Sequence, residues 1–352
     1  MQLNDLNDDR LRQLATLRPS HGKVLSVYLD LDPATFGTQA ARAAQIRSLI
    51  DEADRRTRDG DLDHDAHAAL RDDVARVRDW LRSDDFSAKG AHAIAIFACG
   101  SEGLFETLRL PDAVPSAVVV NDAPWIDPLV GRPRRRRCLA LVSRRVLRVL
   151  LDGPGGELRE LAEIVDDVHG QHEKGGWSQA RYQRSIEEDV RAHLEHAASA
   201  LFELHRRQPF DVLAIGAAPE LWPDVERALH PYLRERTLGR FDVDVEHASP
   251  EAALTAAQPL LDAAERGHVD ALLERLHAGL ANGERAAAGA EAVQAALAER
   301  RVEALLYSDD LGDRALLDDA IAAAVLQSAE VLALRDRPEL GPHGGIAAVL
   351  RF

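Results

Sequence analysis

His172-Glu173-Lys174-Gly175-Gly176-Trp177-Ser178-Gln179-Ala180-Arg181-Tyr182-Gln183-Arg184 begins polar and glycine-broken. It then passes without a proline into a segment whose apolar residues Ile186, Val190, Leu194, Leu201 and Leu204 recur mostly at helical spacing. The order predicts a loop mounted on a long helix that runs to about Arg207. Gly175 and Gly176 lack Cβ atoms, so their backbone can take positive φ and approach another surface more closely than other dipeptides allow. Lys174, Arg181 and Arg184 are cations placed to meet phosphate, and Trp177 and Tyr182 can stack on bases or riboses. Contact with RNA is the chemistry this composition suggests. The alternative is an exposed loop whose Trp177 folds back as a hydrophobic plug on its own domain.

Outward from this stretch the apolar pattern changes period. Upstream, Cys138–Val142, Val146–Leu151 and Glu157–Leu161 read as three consecutive strands, with Gly153-Pro154-Gly155-Gly156 turning between the second and third. Downstream, Asp211–Gly216 reads as a strand, Pro219–His230 as a helix and Phe241–Val245 as a strand. Three meandering strands, a helix, a parallel strand and a helix describe an RNase H-like layout, which we assign to a middle domain over residues 131–265. Pro124–Pro133 is proline-spaced and ends in the run Arg132 to Arg137, marking a boundary or hinge. The arginines of that run are expected to contact phosphate, against the plainer reading of a solvated linker.

Before the boundary, residues 1–130 predict an α/β domain. It holds a short helix around Leu6, Leu11 and Leu14, a buried strand Val24–Asp30, and helices over about Ala40–Arg58 and Asp65–Arg82. Strands follow at Ala93–Ala98, Leu104–Leu110 and Ala117–Val120. After the middle domain, Pro250–Gly283 reads as helix. Ala286–Glu299 is a second helix, Val302–Tyr307 a strand, Asp318–Ser328 a helix, Glu330–Leu334 a strand and Ile346–Phe352 a closing strand. Residues 266–352 therefore predict an α-β-α C-terminal domain, and the fold class is α/β in three domains.

Gly175-Gly176 followed by Ser178, Arg181 and Tyr182 resembles the GGQ loop and following helix of the archaeo-eukaryotic class-1 release factors and Pelota. The run Lys174 to Arg184 is more similar still to the bacterial branch of that superfamily, the bacterial archaeo-eukaryotic release factor family, of which the hibernation factor Balon is a distant member. The resemblance covers the middle of the chain best. It implies that the C-terminal domain is L7Ae-like and that the partners are the ribosome, its rRNA and tRNA. Relatives work alone or with a translational GTPase, which stands as a further candidate partner. In a gapless alignment the family's catalytic glutamine falls on Trp177, and the nearest glutamine is Gln179. No Asn-Ile-Lys-Ser motif for reading stop codons occurs in the chain.

The resemblance implies codon-independent hydrolysis of peptidyl-tRNA in ribosome rescue, with Gln179 orienting water. Gly175 and Gly176 would permit insertion, and Lys174, Trp177, Ser178, Arg181, Tyr182 and Arg184 would hold rRNA or tRNA. The alternative is a hibernation factor that occupies idle ribosomes without chemistry. An amide suits the hydrolytic task because it hydrogen-bonds water and a developing oxyanion without titrating.

The chain has 352 residues, 46% hydrophobic and 29% charged, which fits two or three folded domains. No apolar run approaches a membrane span and the N-terminus lacks signal-peptide character, so the expectation is a cytoplasmic protein with no membrane partner. Cys99 and Cys138 lie in apolar contexts and read as core filler. The net charge of −16 opposes general nucleic-acid stickiness, and DNA is not an expected partner. A locally basic face from Arg132–Arg137, Arg144-Arg145 and the Gly-Gly segment is expected to offset it. Asp166, Asp167, His169 and His172 match no compact ligand motif, so no metal is assigned. Neither Gly153-Pro154-Gly155-Gly156 nor Gly341-Pro342-His343-Gly344-Gly345 ends in Gly-Lys-Ser/Thr, and no cofactor is expected.

Overall fold

The computed structural model describes all residues except 1–3, 33–35, 37, 59–63, 84–85, 87–90, 111–112, 132–134, 154–157, 168–178, 310 and 336. The side chains of 4–5 and 179–183 are also outside the description. Its contacts divide the chain into two units, Arg134–Val269 and Met1–Pro133 with Asp270–Phe352.

Residues 1–133 supply β1 (Asn4–Asp5), α1 (Asp8–Thr16), β2 (Val24–Asp30), α2 (Gln39–Arg56), α3 (His64–Arg82), β3 (Ala93–Cys99), β4 (Leu104–Leu110), β5 (Ala117–Asn121) and α4 (Asp127–Val130). Asn7 and Thr38 cap α1 and α2, each side chain accepting a free first-turn N–H. The sheet order is β1-β4-β3-β2-β5. Its strands β2 and β3 are buried at every position but Asp30, because alternate residues enter different cores. Leu25, Val27, Leu29, Ile94 and Ile96 pack beneath α2 and α3, whereas Tyr28, Ala93, Ala95 and Phe97 face the other way.

The middle unit is built from β6 (Arg137–Val142), β7 (Val146–Asp152), β8 (Leu158–Val165), α5 (Gln179–Arg207), β9 (Val212–Ala217), α6 (Trp222–Ala228), α7 (Pro231–Arg234), β10 (Thr237–Phe241) and the first part of α8 (Pro250–Asn282). The sheet order β10-β9-β6-β7-β8 has β6, β9 and β10 parallel and β7 antiparallel to both β6 and β8. This is the expected meander followed by parallel strands. Cys138, Ala140 and Val142 of β6 face Leu194, Ala197 and Leu201 of α5. Leu139 and Leu141, one residue out of phase, face Ala253, Ala257 and Leu261 of α8. Gly216, one residue before the end of β9, sits in a space closed by side chains, where an added Cβ would lie 2.5 Å from Val243 and 2.8 Å from Leu141.

The helix expected near Pro219–His230 is α6, shorter at both ends, because Leu229 turns extended before Pro231 opens a separate helix. One expectation here is corrected. The strand expected at Phe241–Val245 lies earlier, at Thr237–Phe241, where it pairs with β9.

The chain re-enters the first unit within α8 and adds β11 (Ala286–Ala288), α9 (Ala290–Ala298), β12 (Val302–Ser308), α10 (Arg314–Leu326), β13 (Glu330–Leu334) and β14 (Ile346–Leu350). The sheet order is β11-β14-β12-β13. Ala286–Ala288, read as helix from its alanines, is a strand paired with Val349, Ala348 and Ala347, so sheet pairing overrides local propensity. A single core joins Leu11, Leu14, Tyr28 and Phe97 to Val293, Leu305, Tyr307, Ile321 and Val325. Pro124–Pro133, expected to mark a boundary or hinge, ends where the division into units falls, and it carries α4, with Ile126, Leu129 and Val130 in that core.

Polar groups cross the same contact. Tyr307 donates to Asp127, and Asn121 donates to Asp318 at 3.0 Å. Burial, and next the charge of Asp127, push the Asp318 carboxyl up to about 6. An acid whose folded pKa is raised stabilises the fold below its unfolded value, near 3.9, and loses that contribution as pH rises through about 6. Asp318→Asn, which keeps the shape without the charge, is therefore expected to raise stability at pH 7.5 by about 1 kcal/mol after discounting for partial exposure. The gain should shrink towards zero by about pH 4 in denaturant titrations run at both values.

Candidate functional site

The β8 strand and α5 helix bracket the Gly-Gly segment, and their packing sets where that segment leaves and re-enters the unit. Val165, at the end of β8, pairs with Val146, and Asp166 N–H bonds Arg145 carbonyl at 2.9 Å. The segment therefore departs from the edge at which β6 also ends. There, Ser143, Arg144, Ala217–Leu221 and Asp242–Val245 line an open depression of about 630 Å³.

Along α5 the buried stripe runs through Ile186, His193, Leu194, Ala197, Ala198 and Leu201. The spacing is that of a helix face laid on a sheet, with one imidazole among the hydrocarbons. His193 is only 1% exposed. Its Nδ1 donates to Asp166 at 2.7 Å, and His196, one turn on, bonds the same carboxylate at 3.0 Å. With Nδ1 donating, a neutral ring leaves its lone pair on Nε2, which meets no partner among the described residues. The hydrogen bond from His193, with a second from His196, holds the Asp166 carboxyl below the usual carboxylate range. One carboxylate thus fastens the end of β8 to α5.

Gln179 is the first residue of α5, fourteen positions before His193, so its backbone stands about 21 Å along the helix from the clasp at 1.5 Å per residue. Arg181 and Tyr182 lie in the same first turn, their side chains outside the described residues. Arg184 is exposed on the helix. Lys174, Gly175, Gly176, Trp177 and Ser178 lie outside the described residues, as do His169 and His172.

Asp166, weighed in the sequence as part of a metal pair, is engaged by His193 and His196, and no metal-holding cluster occurs among the described residues. Sequence reading passed over both histidines. The available signal was the position of His193 on the apolar stripe, where a buried imidazole demands a partner.

The expected basic face is reduced. Arg136 donates to the carbonyls of Asp152 and Pro209 and to Gln208, and Arg137 pairs with Asp152 at 2.8 Å. Arg145 pairs with Glu246 at 3.3 Å. These three arginines tie strand ends together, whereas Arg135 and Arg144 are exposed. Among the described residues no helix is long and apolar enough to cross a membrane.

Residues 124–265 match the model of bacterial archaeo-eukaryotic release factor family 10, and over that segment the chain is release-factor-like. No curated protein matches the chain. Among solved structures, ribosome-bound archaeal Pelota with ABCE1 is 15% identical, covers 100% of this chain and 96% of its own, and has a TM-score of 0.46. Saccharomyces cerevisiae Dom34, a translation termination-like factor, is 11% identical over 77% of this chain and 83% of its own, with a TM-score of 0.44. Archaeoglobus fulgidus Pelota is 16% identical over 74% and 79%, at 0.38. Each of these scores lies below 0.5, so the family segment and the chain's own residues carry the functional reading.

His193→Ala removes a buried hydrogen bond and opens a cavity, and is expected to lower the unfolding free energy by about 2 to 4 kcal/mol. His196→Ala, at a largely exposed pair, should cost under about 1 kcal/mol. Urea unfolding of the two variants measures the difference; equal losses would mean that burial of His193 is not what fixes the clasp.

Proposed function

We propose that this chain, release-factor-like over residues 124–265, binds the ribosome and hydrolyses the peptidyl-tRNA ester without reading a codon, rescuing stalled ribosomes. The observation that carries this reading is the place of Gln179, two residues beyond Trp177 and at the head of a 29-residue helix anchored to its sheet. The task suits it. The ester carbonyl needs a positioned water and a hydrogen bond to the oxyanion, and a neutral amide can take part in both at any physiological pH. Gly175 and Gly176 let the backbone pass close to RNA. Lys174, Arg181 and Arg184 neutralise phosphate, and Trp177, Ser178 and Tyr182 contact bases and riboses. The three-domain division at 130/131 and 265/266 belongs to this proposal, with the first and last domains serving as ribosome-facing supports.

A second reading has one observation in its favour. Trp177 stands where a gapless alignment puts the family's glutamine. Under it, the chain occupies the ribosome and hydrolyses nothing, as a hibernation factor.

Ribosomes carrying labelled peptidyl-tRNA separate the two. Wild type should release peptide, and Gln179→Ala should release it about a hundredfold more slowly with unchanged co-sedimentation. Co-sedimentation without release by the wild type would support hibernation, and no co-sedimentation would sink both. Arg184→Glu should weaken co-sedimentation and flatten its salt dependence, as expected when a phosphate contact is lost.

A further inference from the structure

The chain is poor in aromatic residues, at 5%, and most of its rings are spent in cores. Tyr28 and Tyr307 are fully buried. Tyr232, on α7, is 59% exposed, and it does not stand alone. Phe202 of α5 stacks on His230 with centroids 3.9 Å apart, and His230 lies 5.3 Å from Tyr232. The Phe202 and Tyr232 rings are within 9° of parallel, and no pair among the three departs from parallel by more than 24°. Tyr232 N–H donates to His230 Nδ1 at 3.3 Å, so in a neutral imidazole the ring proton sits on Nε2. Three rings of nearly common orientation thus form a stack whose exposed member is Tyr232.

Cations surround it. Arg236 donates to the Tyr232 carbonyl at 2.9 Å and Arg234 donates to the Leu229 carbonyl at 3.0 Å, so backbone carbonyls of the same segment hold both guanidinium groups. Arg206 lies one helical turn past Phe202, sharing its charge with Glu203 at 2.8 Å. Glu235 is the acidic residue between the two arginines. A protein core needs none of this exposed ring area. A base does, since every base offers a π-face to an aromatic platform while its phosphates meet nearby arginines.

We infer that Phe202, His230 and Tyr232 form a stacking platform for an unpaired RNA base, with Arg206, Arg234 and Arg236 meeting the flanking phosphates. The choice of RNA rests on the translational reading above; the platform itself does not involve the Gly-Gly segment. Phe202 lies 23 residues along α5 from Gln179, about 35 Å at 1.5 Å per residue, so the platform is a separate point of contact.

Fluorescence anisotropy tests it with the full chain, a labelled oligouridylate and an abasic ribose-phosphate strand of equal length. Wild type should hold the base-bearing strand about tenfold or more tighter than the abasic one. Tyr232→Ala should remove that preference without changing the melting temperature, and Tyr232→Phe should retain it. Equal binding of both strands by wild type, or a preference that survives in Tyr232→Ala, would overturn the platform. Loss of peptide release in the ribosome assay alone would overturn the hydrolytic reading and leave the base preference standing.

Discussion

The middle unit depends on a polar residue placed where hydrocarbon is expected. A 29-residue helix owes its position to the stripe it buries, since propensity alone holds few helices in water. In α5 that stripe includes His193, and an imidazole taken out of water without a partner costs more than its apolar carbons return. Asp166 supplies the partner, and because it directly follows β8 the bond does more than satisfy the ring. It fixes the register between the last strand of the meander and the helix, and so the two ends of the Gly-Gly segment. The same logic recurs in the other unit, where Asp127 and Tyr307 satisfy one another inside a core built from residues 250 positions or more apart in sequence, such as Leu14 and Val325.

Electrostatics restrict how such a protein meets RNA. With a net charge of −16 it is repelled by nucleic acid at long range, and the arginines that could have compensated are largely committed elsewhere. Arg136 and Arg137 stitch the start of β6 to Asp152 and the β9 approach, Arg145 meets Glu246, and Arg148 reaches Glu160 together with the carbonyls of Val245 and Ala248. Contacts must then be few and local. Stacking serves that requirement well because it draws on surface rather than on charge, and it is less weakened by salt than an ion pair.

How far the sequence carried the fold depends on where the signal was local. The β6 to β9 order was legible because Cys138–Val142 and Asp211–Gly216 are short apolar runs bounded by turns, and the α5 stripe because its period is helical. Ala286–Ala288 misled because alanine favours helix, and only β14 alongside it makes a strand. At Arg136 and Arg137 the cation cluster hid its partners, for a run of arginines does not reveal which acceptors the fold will bring to it; Asp152 and Gln208 are distant in sequence. Of the site, the long helix was legible from its proline-free apolar stripe, but its first residue was not, for Gln179 was read as part of the loop; nor was the clasp, since it joins Asp166 to a histidine 27 residues away.

Distance along α5 sets what the clasp can accomplish for Gln179. As the first helical residue, Gln179 takes its backbone position from the helix, not from the glycines before it. A rod held at His193 and free at its head turns a tilt of about 5° into a displacement of about 1.8 Å at about 21 Å. Catalytic placement tolerates about 0.5 Å, so under the proposed hydrolytic reading the clasp could not by itself complete the alignment. On that proposal the remaining precision would come from the RNA around the helix head, with Lys174, Arg181 and Arg184 as the proposed contacts. Water would then be oriented only when RNA surrounds the helix head, which is also the condition under which hydrolysing an ester would be useful to a stalled ribosome.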